Sequence, residues 1–384
     1  MDFTLPDEIA LIRDTGREFA TNVLAPAAKE LDRNETFPHT HWKKLAELGF
    51  FGFLIPEEFG GSAQPDLLNT LALTVALEEL NAGCAATGVT VSVQNSLVSG
   101  PIVLYGTEEQ KRKYLPRLAS GECIGSYALT EPDHGSDAAA LETRAVRKGD
   151  RYVLNGTKAW ITNGTVAGLF VVFATVDPSR RSKGITAFLV ESNTPGIRVG
   201  KKERKMGIRA AESAELSFED CEVPEENRLG EEGQGFRLAV ETLNGGRIGI
   251  AAQAIGIARA SLEAARDYAL EREQFGKPIA AFQPIRWKIA DMAAGIDAAR
   301  MLAWRAAVLR DRGERHTKEA AMAKLFAAEL ANKAASDAVQ IHGGAGYCCD
   351  FPVERYFRDA KITEIYEGTN EIQRLVVARE VLGR

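Results

Sequence analysis

From residue 1 to about 120, apolar side chains recur at helical spacing, as in Leu45, Leu48 and Phe51 or Ala72, Val75, Ala76 and Leu80. Between about 122 and 228 the period shortens. RYVLNGTKAWIT reads as two strands around an Asn155-Gly156 hairpin turn, and LFVVFAT, ITAFLVE and AELSFEDCEVP complete a β domain. Helical periodicity returns from about 236, where Ile285, Ile289, Met292 and Ile296 keep one apolar face behind Pro284. Long helices over roughly 236–272, 284–312 and 318–342 predict a bundle. The order is therefore helices, then a β barrel or sandwich, then a bundle, with no low-complexity linker between them. Asn81 to Thr107 holds no charge across 27 positions, yet Asn81, Gln94, Asn95 and Pro101 make it too polar to face lipid. It predicts a buried helix followed by a turn at Gly100 and Pro101.

Composition narrows the function. With 53 acidic and 47 basic residues the net charge is -6, and no run of five basic residues could track a nucleic-acid backbone. The five cysteines lack CxxC spacing, which points to free thiols in a reducing compartment, with Cys348 and Cys349 as packing residues. The opening MDFTLPDEIALIRDTGREF forms an amphipathic helix without a signal-peptide order, so a cytoplasmic location is expected. The five histidines are too dispersed for a metal site, and His39 and His41 suit a helix start. HExxH, GxSxG, GxxxxGK[ST] and a strand-to-helix GxGxxG are all missing.

Four stretches remain. In TEIYEGTNEIQR, Thr369 is a helix N-cap, Glu371 belongs to the first turn, and Ile372, Leu375, Val376 and Leu382 form one apolar stripe. Glu371 needs no further role. Glu367, by contrast, precedes the cap on a bend at Gly368, where a side chain can face a cleft. YALTEPDHGSD, Tyr127 to Asp137, is an irregular loop with N–H groups to offer, or simply a turn. KAWITNG, Lys158 to Gly164, sets Trp160 on a strand, by default as a core residue. QIHGGAGY, Gln340 to Tyr347, permits close backbone approach, or merely ends a helix.

Together with REQFGKPIAAFQ, these motifs resemble the acyl-CoA dehydrogenase family along essentially the whole chain. The resemblance implies an α+β multidomain fold: an N-terminal α-helical domain (1–121), a middle β-barrel domain (122–230) and a C-terminal four-helix bundle (231–384). It implies FAD-dependent dehydrogenation of an acyl-CoA to the trans-2-enoyl-CoA, with Glu367 removing the α-proton and hydride leaving for flavin N5. Tyr127, Leu129, Thr130, Ser136, Trp160, Ile161, Thr162, Thr369 and Glu371 match flavin positions. Arg272, Phe275, Gln283, Gln340, Gly343 and Gly344 match a set that meets the flavin of a neighbouring subunit, so a homotetramer is implied. Ser136, Asn244, Arg247, Gly368 and Arg374 match substrate positions. An electron-transferring flavoprotein is the expected electron acceptor, and neither a metal, a nucleic acid nor a membrane is expected.

Some family members carry the base on the helix around LNGGR, where this chain has Gly245 and Gly246. That favours short or short branched acyl groups over the isovaleryl and long-chain arrangements. The charge-free stretch also offers no arginine for a dicarboxylic substrate. An acyl-CoA oxidase, another flavin-dependent member acting on a different thioester, and a noncatalytic helical scaffold are the rival readings.

Overall fold

A computed structural model describes residues 4–65 and 67–383. The first block is helical throughout: α1 (Asp7–Phe19) runs through a π-helical segment into α2 (Ala25–Asn34), followed by α3 (His39–Glu47) and α4 (Asn69–Gly83). Next come α5 (Ala85–Ser92), α6 (Gly100–Tyr105) and α7 (Glu108–Ala119). The uncharged stretch is buried as expected, but no turn forms at Gly100 and Pro101. A π-helical segment, Val93–Ser99, carries the chain straight into α6, and Pro101 sits in that first turn, where its missing N–H costs nothing. Among the described residues no helix is long and apolar enough to cross a membrane.

The middle block comprises β1 (Gly125–Ala128), β2 (Arg144–Lys148), β3 (Arg151–Thr162), β4 (Leu169–Thr175), β5 (Ile185–Glu191), β6 (Ile197–Lys202), β7 (Ser213–Pro224) and β8 (Arg228–Leu229). They form one sheet in the order β6-β7-β3-β2-β4-β5-β8, with β1 added parallel to β4. Alternate residues of β4 serve two cores. Phe170, Val172 and Ala174 join Tyr152, Leu154, Phe188, Leu216 and Phe218 inside the curled sheet, while Leu169, Val171 and Phe173 face Val98, Ile102, Leu115 and Leu238 of the helices. The sheet is thus an open barrel clamped between helical blocks.

The Asn155-Gly156 hairpin is not formed. β3 is one long strand, and the turn lies earlier, at Gly149-Asp150 between β2 and β3. Asn155 and Gly156 instead make a bulge against β7, where the Asn155 side chain accepts from Asp220 N–H at 2.8 Å. A Cβ on Gly156 would meet Thr143 Oγ1 at 2.6 Å, so glycine is required there by close approach.

The C-terminal block packs α8 (Gly235–Glu271), α9 (Gln283–Asp311), α10 (Thr317–His342) and α12 (Asn370–Leu382), with α11 (Val353–Lys361) across α8 and α10 and a two-stranded hairpin, β9 (Glu273–Gln274) and β10 (Lys277–Pro278), before α9. Alanine dominates the seam: Ala251, Ala254, Ala258, Ala303, Ala327 and Ala334 are all fully buried, and small side chains let the long helices approach closely. Buried Glu78 and Glu79 of α4 tie this bundle to the first block through Arg300 of α9 and Arg259 of α8, and Glu79 is held within the first block by Arg17 of α1. Cys348 and Cys349 do not pack within the chain. Both are exposed just after the glycine-rich end of α10, where a short 3-10 turn leaves them no core to enter.

One buried pair sets the entry to the barrel. Lys158, fully buried, donates Nζ to Glu131 Oε1 at 2.7 Å and to Leu129 O at 3.1 Å. Glu131 also accepts the N–H groups of Glu142 and Thr143 at 2.5 and 2.9 Å. Lys158→Met should therefore destabilise the fold by about 3–5 kcal/mol by stranding a buried carboxylate, and adding Glu131→Gln should recover part of the loss. Chemical denaturation checks this; an unchanged midpoint in the single variant contradicts it.

Candidate active site

Glu367 stands between a 3-10 turn, Ile362–Glu364, and the Thr369 cap of α12, whose hydroxyl accepts from Ile372 N–H at 3.3 Å. Reversing the chain in so few residues puts Glu367 at φ 56° and Gly368 at φ 84°. The left-handed conformation costs a non-glycine residue about 1–2 kcal/mol, so something must hold it. Gln373 Nε2 donates to Glu367 O at 3.1 Å and Gly368 O at 2.8 Å, and Lys324 Nζ donates to Gly368 O at 3.0 Å and to Asn370 Oδ1 at 3.0 Å. Gln373 and Lys324 are both fully buried.

The turn aims the carboxylate at α8. A Cβ on Gly246 would lie 2.6 Å from Glu367 Oε2 and 3.0 Å from Leu97 Cδ2, so the absent side chain is the space the carboxylate occupies. Oε2 is buried with no hydrogen-bond partner. Burial pushes the Glu367 pKa from 4.5 up to about 7, while Arg247 and Lys324 pull in the opposite direction. The Tyr127 hydroxyl is likewise buried and unpartnered; burial, then the charge of Glu367, drive its pKa well above 10.

Beyond Gly246 the surface of α8 closes quickly. A Cβ on Gly249 would meet Ser92 Oγ at 2.5 Å, and fully buried Gln253 donates to Ala85 O at 3.2 Å while accepting from the Tyr366 hydroxyl. Seven residues of helix separate Gly246 from Gln253, about 10 Å at 1.5 Å per residue.

The barrel supplies the other wall. Ala159 N–H donates to Thr130 O at 2.9 Å, which with the Lys158 bonds fastens Leu129 and Thr130 to β3. One residue later the pairing of β3 with β7 shifts register, and Trp160 takes φ 63° with its indole 62% exposed. Trp160 is therefore no core residue. Ile161 returns to the core, and Thr162 O accepts from Ser126 Oγ. Tyr127, Leu129, Thr130, Trp160, Ile161 and Thr162 thus converge, and Thr369 and Glu371 begin the helix that follows Glu367. Ser136 lies exposed on the loop after Glu131. Backbone groups of an irregular loop beside a flat, uncovered indole suit the edge and face of a flavin ring, so these residues fit FAD.

Arg272, Phe275, Gln283, Gln340, Gly343 and Gly344 do not join this set. They gather where α8 ends, α9 begins and α10 ends, exposed, with Phe275 at φ 52° and 92% exposed. Along α8, Arg272 is 26 residues from Gly246, about 39 Å.

Of the substrate positions, Arg247 is buried and donates to Asn244 Oδ1 at 2.8 Å, and Asn244 donates to Thr317 Oγ1 at 3.2 Å. Arg374 is turned outward to Glu329 at the surface. The basic cluster that sequence reading missed lies elsewhere. A cavity of about 940 Å³ opens between α4, α6, the start of α8 and the α9–α10 junction, lined by Asn244 together with Arg237, Arg310, Arg315, His316 and Arg379. Asp311 and Glu241 share it, but Asp311 caps α4 through the N–H groups of Thr70 and Leu71, and Glu241 accepts from Tyr105. Arg310 Nη1 is buried there without a partner, lying where a Cβ on Gly245 would come within 1.8 Å. These cations are scattered along the sequence, and no local motif announces them.

Family models for the N-terminal, middle and C-terminal domains of acyl-CoA dehydrogenases match residues 6–122, 126–221 and 233–382. The mitochondrial short-chain specific acyl-CoA dehydrogenase of Rattus norvegicus is 52% identical over 378 residues, 98% of this chain and 91% of that protein. The structure of butyryl-CoA dehydrogenase from Megasphaera elsdenii superposes with a TM-score of 0.97 at 45% identity, covering 100% of both chains. A chain in the structural work on the electron transferring flavoprotein of Acidaminococcus fermentans does so with a TM-score of 0.97 at 49% identity, again covering 100% of both. The buried carboxylate, the indole-walled loop and the three-block fold thus have a common explanation: the chain belongs to the acyl-CoA dehydrogenase family and is an FAD-dependent oxidoreductase.

Proposed function

We propose that this protein dehydrogenates short straight or short branched acyl-CoA thioesters to the trans-2-enoyl-CoA, with Glu367 as the base that takes the proton from C2. The observation that carries this reading is the half-buried Glu367 carboxylate, whose Oε2 is buried without a partner against Gly246 of α8 and whose pKa is raised to about 7. A carboxylate of ordinary pKa near 4.3 is a feeble base toward carbon, and desolvation narrows the gap to the acid it must deprotonate. FAD, when bound, supplies the acceptor for the hydride that leaves C3. The Glu367 backbone N–H makes no hydrogen bond among the described residues and is free to donate to the thioester oxygen, which is worth about 3 kcal/mol as charge develops there.

Ser92 against Gly249, and the Gln253–Tyr366 bond beyond it, support an acyl groove that closes within a few carbons of the base. The 940 Å³ cavity beside Asn244, with Arg310 unpaired, suits the anionic nucleotide end of CoA. The exposed set at the far end of α8 supports a homotetramer in which one chain completes another's FAD site. An electron-transferring flavoprotein is the proposed electron acceptor and the cytoplasm the proposed compartment.

Three outcomes test this function. Glu367→Gln should retain FAD and bind ligand but lose anaerobic flavin reduction by more than about 1,000-fold; near-native reduction removes Glu367 from its role. Among acyl-CoA thioesters of graded length, butyryl and isobutyryl thioesters should bleach the flavin fastest and C16 hardly at all, whereas preference for C16 contradicts the closed groove. Because the base must be ionised, kcat/KM should fall as pH drops through about 7, the Glu367 value. An acid limb near 4.5 would show that the site is wetter than its geometry implies.

A further inference from the structure

Lys324 sits about two turns into α10, fully buried, and is matched to no flavin or substrate position. Its ammonium donates to Gly368 O and Asn370 Oδ1, both at 3.0 Å, on the two sides of the Thr369 cap. Those contacts grip the segment whose left-handed residues, Glu367 at φ 56° and Gly368 at φ 84°, present the carboxylate to Gly246. Burying a lysine costs several kcal/mol unless its donors are satisfied, and an apolar side chain would fill the alanine-rich seam more cheaply. The position is occupied by a cation whose only hydrogen-bond partners among the described residues belong to the turn carrying the base.

We propose that Lys324 is a positioning residue for the proton abstraction: it locks the Glu367–Gly368 turn through the Gly368 carbonyl and Asn370, and its charge keeps the buried base ionisable. The proposal rests on Glu367 being the base. Charged and titratable groups reach that carboxylate from three further directions, Arg247 on α8, Tyr127 on β1 and the adjacent Tyr366. Lys324 in turn faces Glu364 and Glu371 as well as Glu367 and Arg247. Burial draws its own pKa down to about 8, against the pull of Glu367, so it carries its charge where the base works. Arg247 is committed to Asn244 at 2.8 Å, which leaves Lys324 as the cation attached to the turn itself.

Two variants separate geometry from charge. Lys324→Met removes both, and Lys324→Arg keeps the charge on a planar group that does not reproduce the ammonium's bonds to both oxygens. With FAD-loaded tetramer and butyryl-CoA under anaerobic conditions, Lys324→Met should slow flavin reduction by about 30-fold or more while KM changes less than about 3-fold. Its acid limb should move to higher pH by about one unit, because a carboxylate that loses a neighbouring cation holds its proton more tightly. Lys324→Arg should slow reduction by about 10-fold with the acid limb where the parent has it. A parental rate and pH profile in Lys324→Met overturns the proposal. If Lys324→Met does not fold, a parental rate in Lys324→Arg overturns it instead. Glu367→Gln run in parallel separates the two hypotheses: activity surviving there rejects the base assignment, whereas inactivity there with a parental Lys324 series rejects only the positioning role.

Discussion

Everything in this site depends on taking one carboxylate oxygen, Glu367 Oε2, out of water without pairing it. Burial raises the pKa of Glu367, and two cations moderate the rise so that it stops near neutrality, where a base is both populated and strong. Full pairing with Arg247 or Lys324 would give an inert ion pair. Complete isolation would leave the group protonated. The structure holds an intermediate position, in which Arg247 is turned to Asn244 and Lys324 to the backbone, and Oε2 is buried without a partner beside Gly246 and Leu97.

The surrounding fold makes that position possible. Two adjacent glycines on α8 accept two opposite intrusions, Glu367 at Gly246 and Arg310 at Gly245. The same helix then closes on α5 at Gly249, and at its far end it displays Phe275 and Arg272 to the outside. A single 37-residue helix therefore borders Glu367 at Gly246, packs on α5 at Gly249 and ends beside the exposed Arg272 and Phe275. On the barrel side, the register shift after Lys158 turns Trp160 out of the sheet, and the Lys158–Glu131 pair keeps the facing loop in place. Trp160 at φ 63° and Glu367 at φ 56° are among the non-glycine residues that the rigid scaffold holds in the left-handed region.

Much of this was legible in sequence. Helical periods located the three long helices of the C-terminal part within a few residues, because amphipathic spacing reports burial directly. Glu367 stood out by preceding a cap, and the surrounding motifs assigned it through family resemblance. The errors share a cause. Asn155-Gly156 looked like a turn and Gly100-Pro101 like a break, but tertiary packing used one as a bulge against Thr143 and carried a helix through the other. Trp160, expected in the core by default, is exposed because a positive φ rotates it outward, which no local pattern encodes. Lys324 and the basic cavity around Arg310 were invisible for the same reason: their partners are distant in sequence and meet only when the bundle closes.

Desolvation should make Glu367 titrate far above an ordinary carboxylate. Carbon-13 NMR of the side-chain carboxyl in isotopically labelled holoenzyme, assigned by the signal missing from Glu367→Gln, measures this without reference to turnover. A midpoint near 7 is expected from the buried, unpartnered Oε2. A midpoint at the exposed-glutamate value, near 4.3, would contradict it.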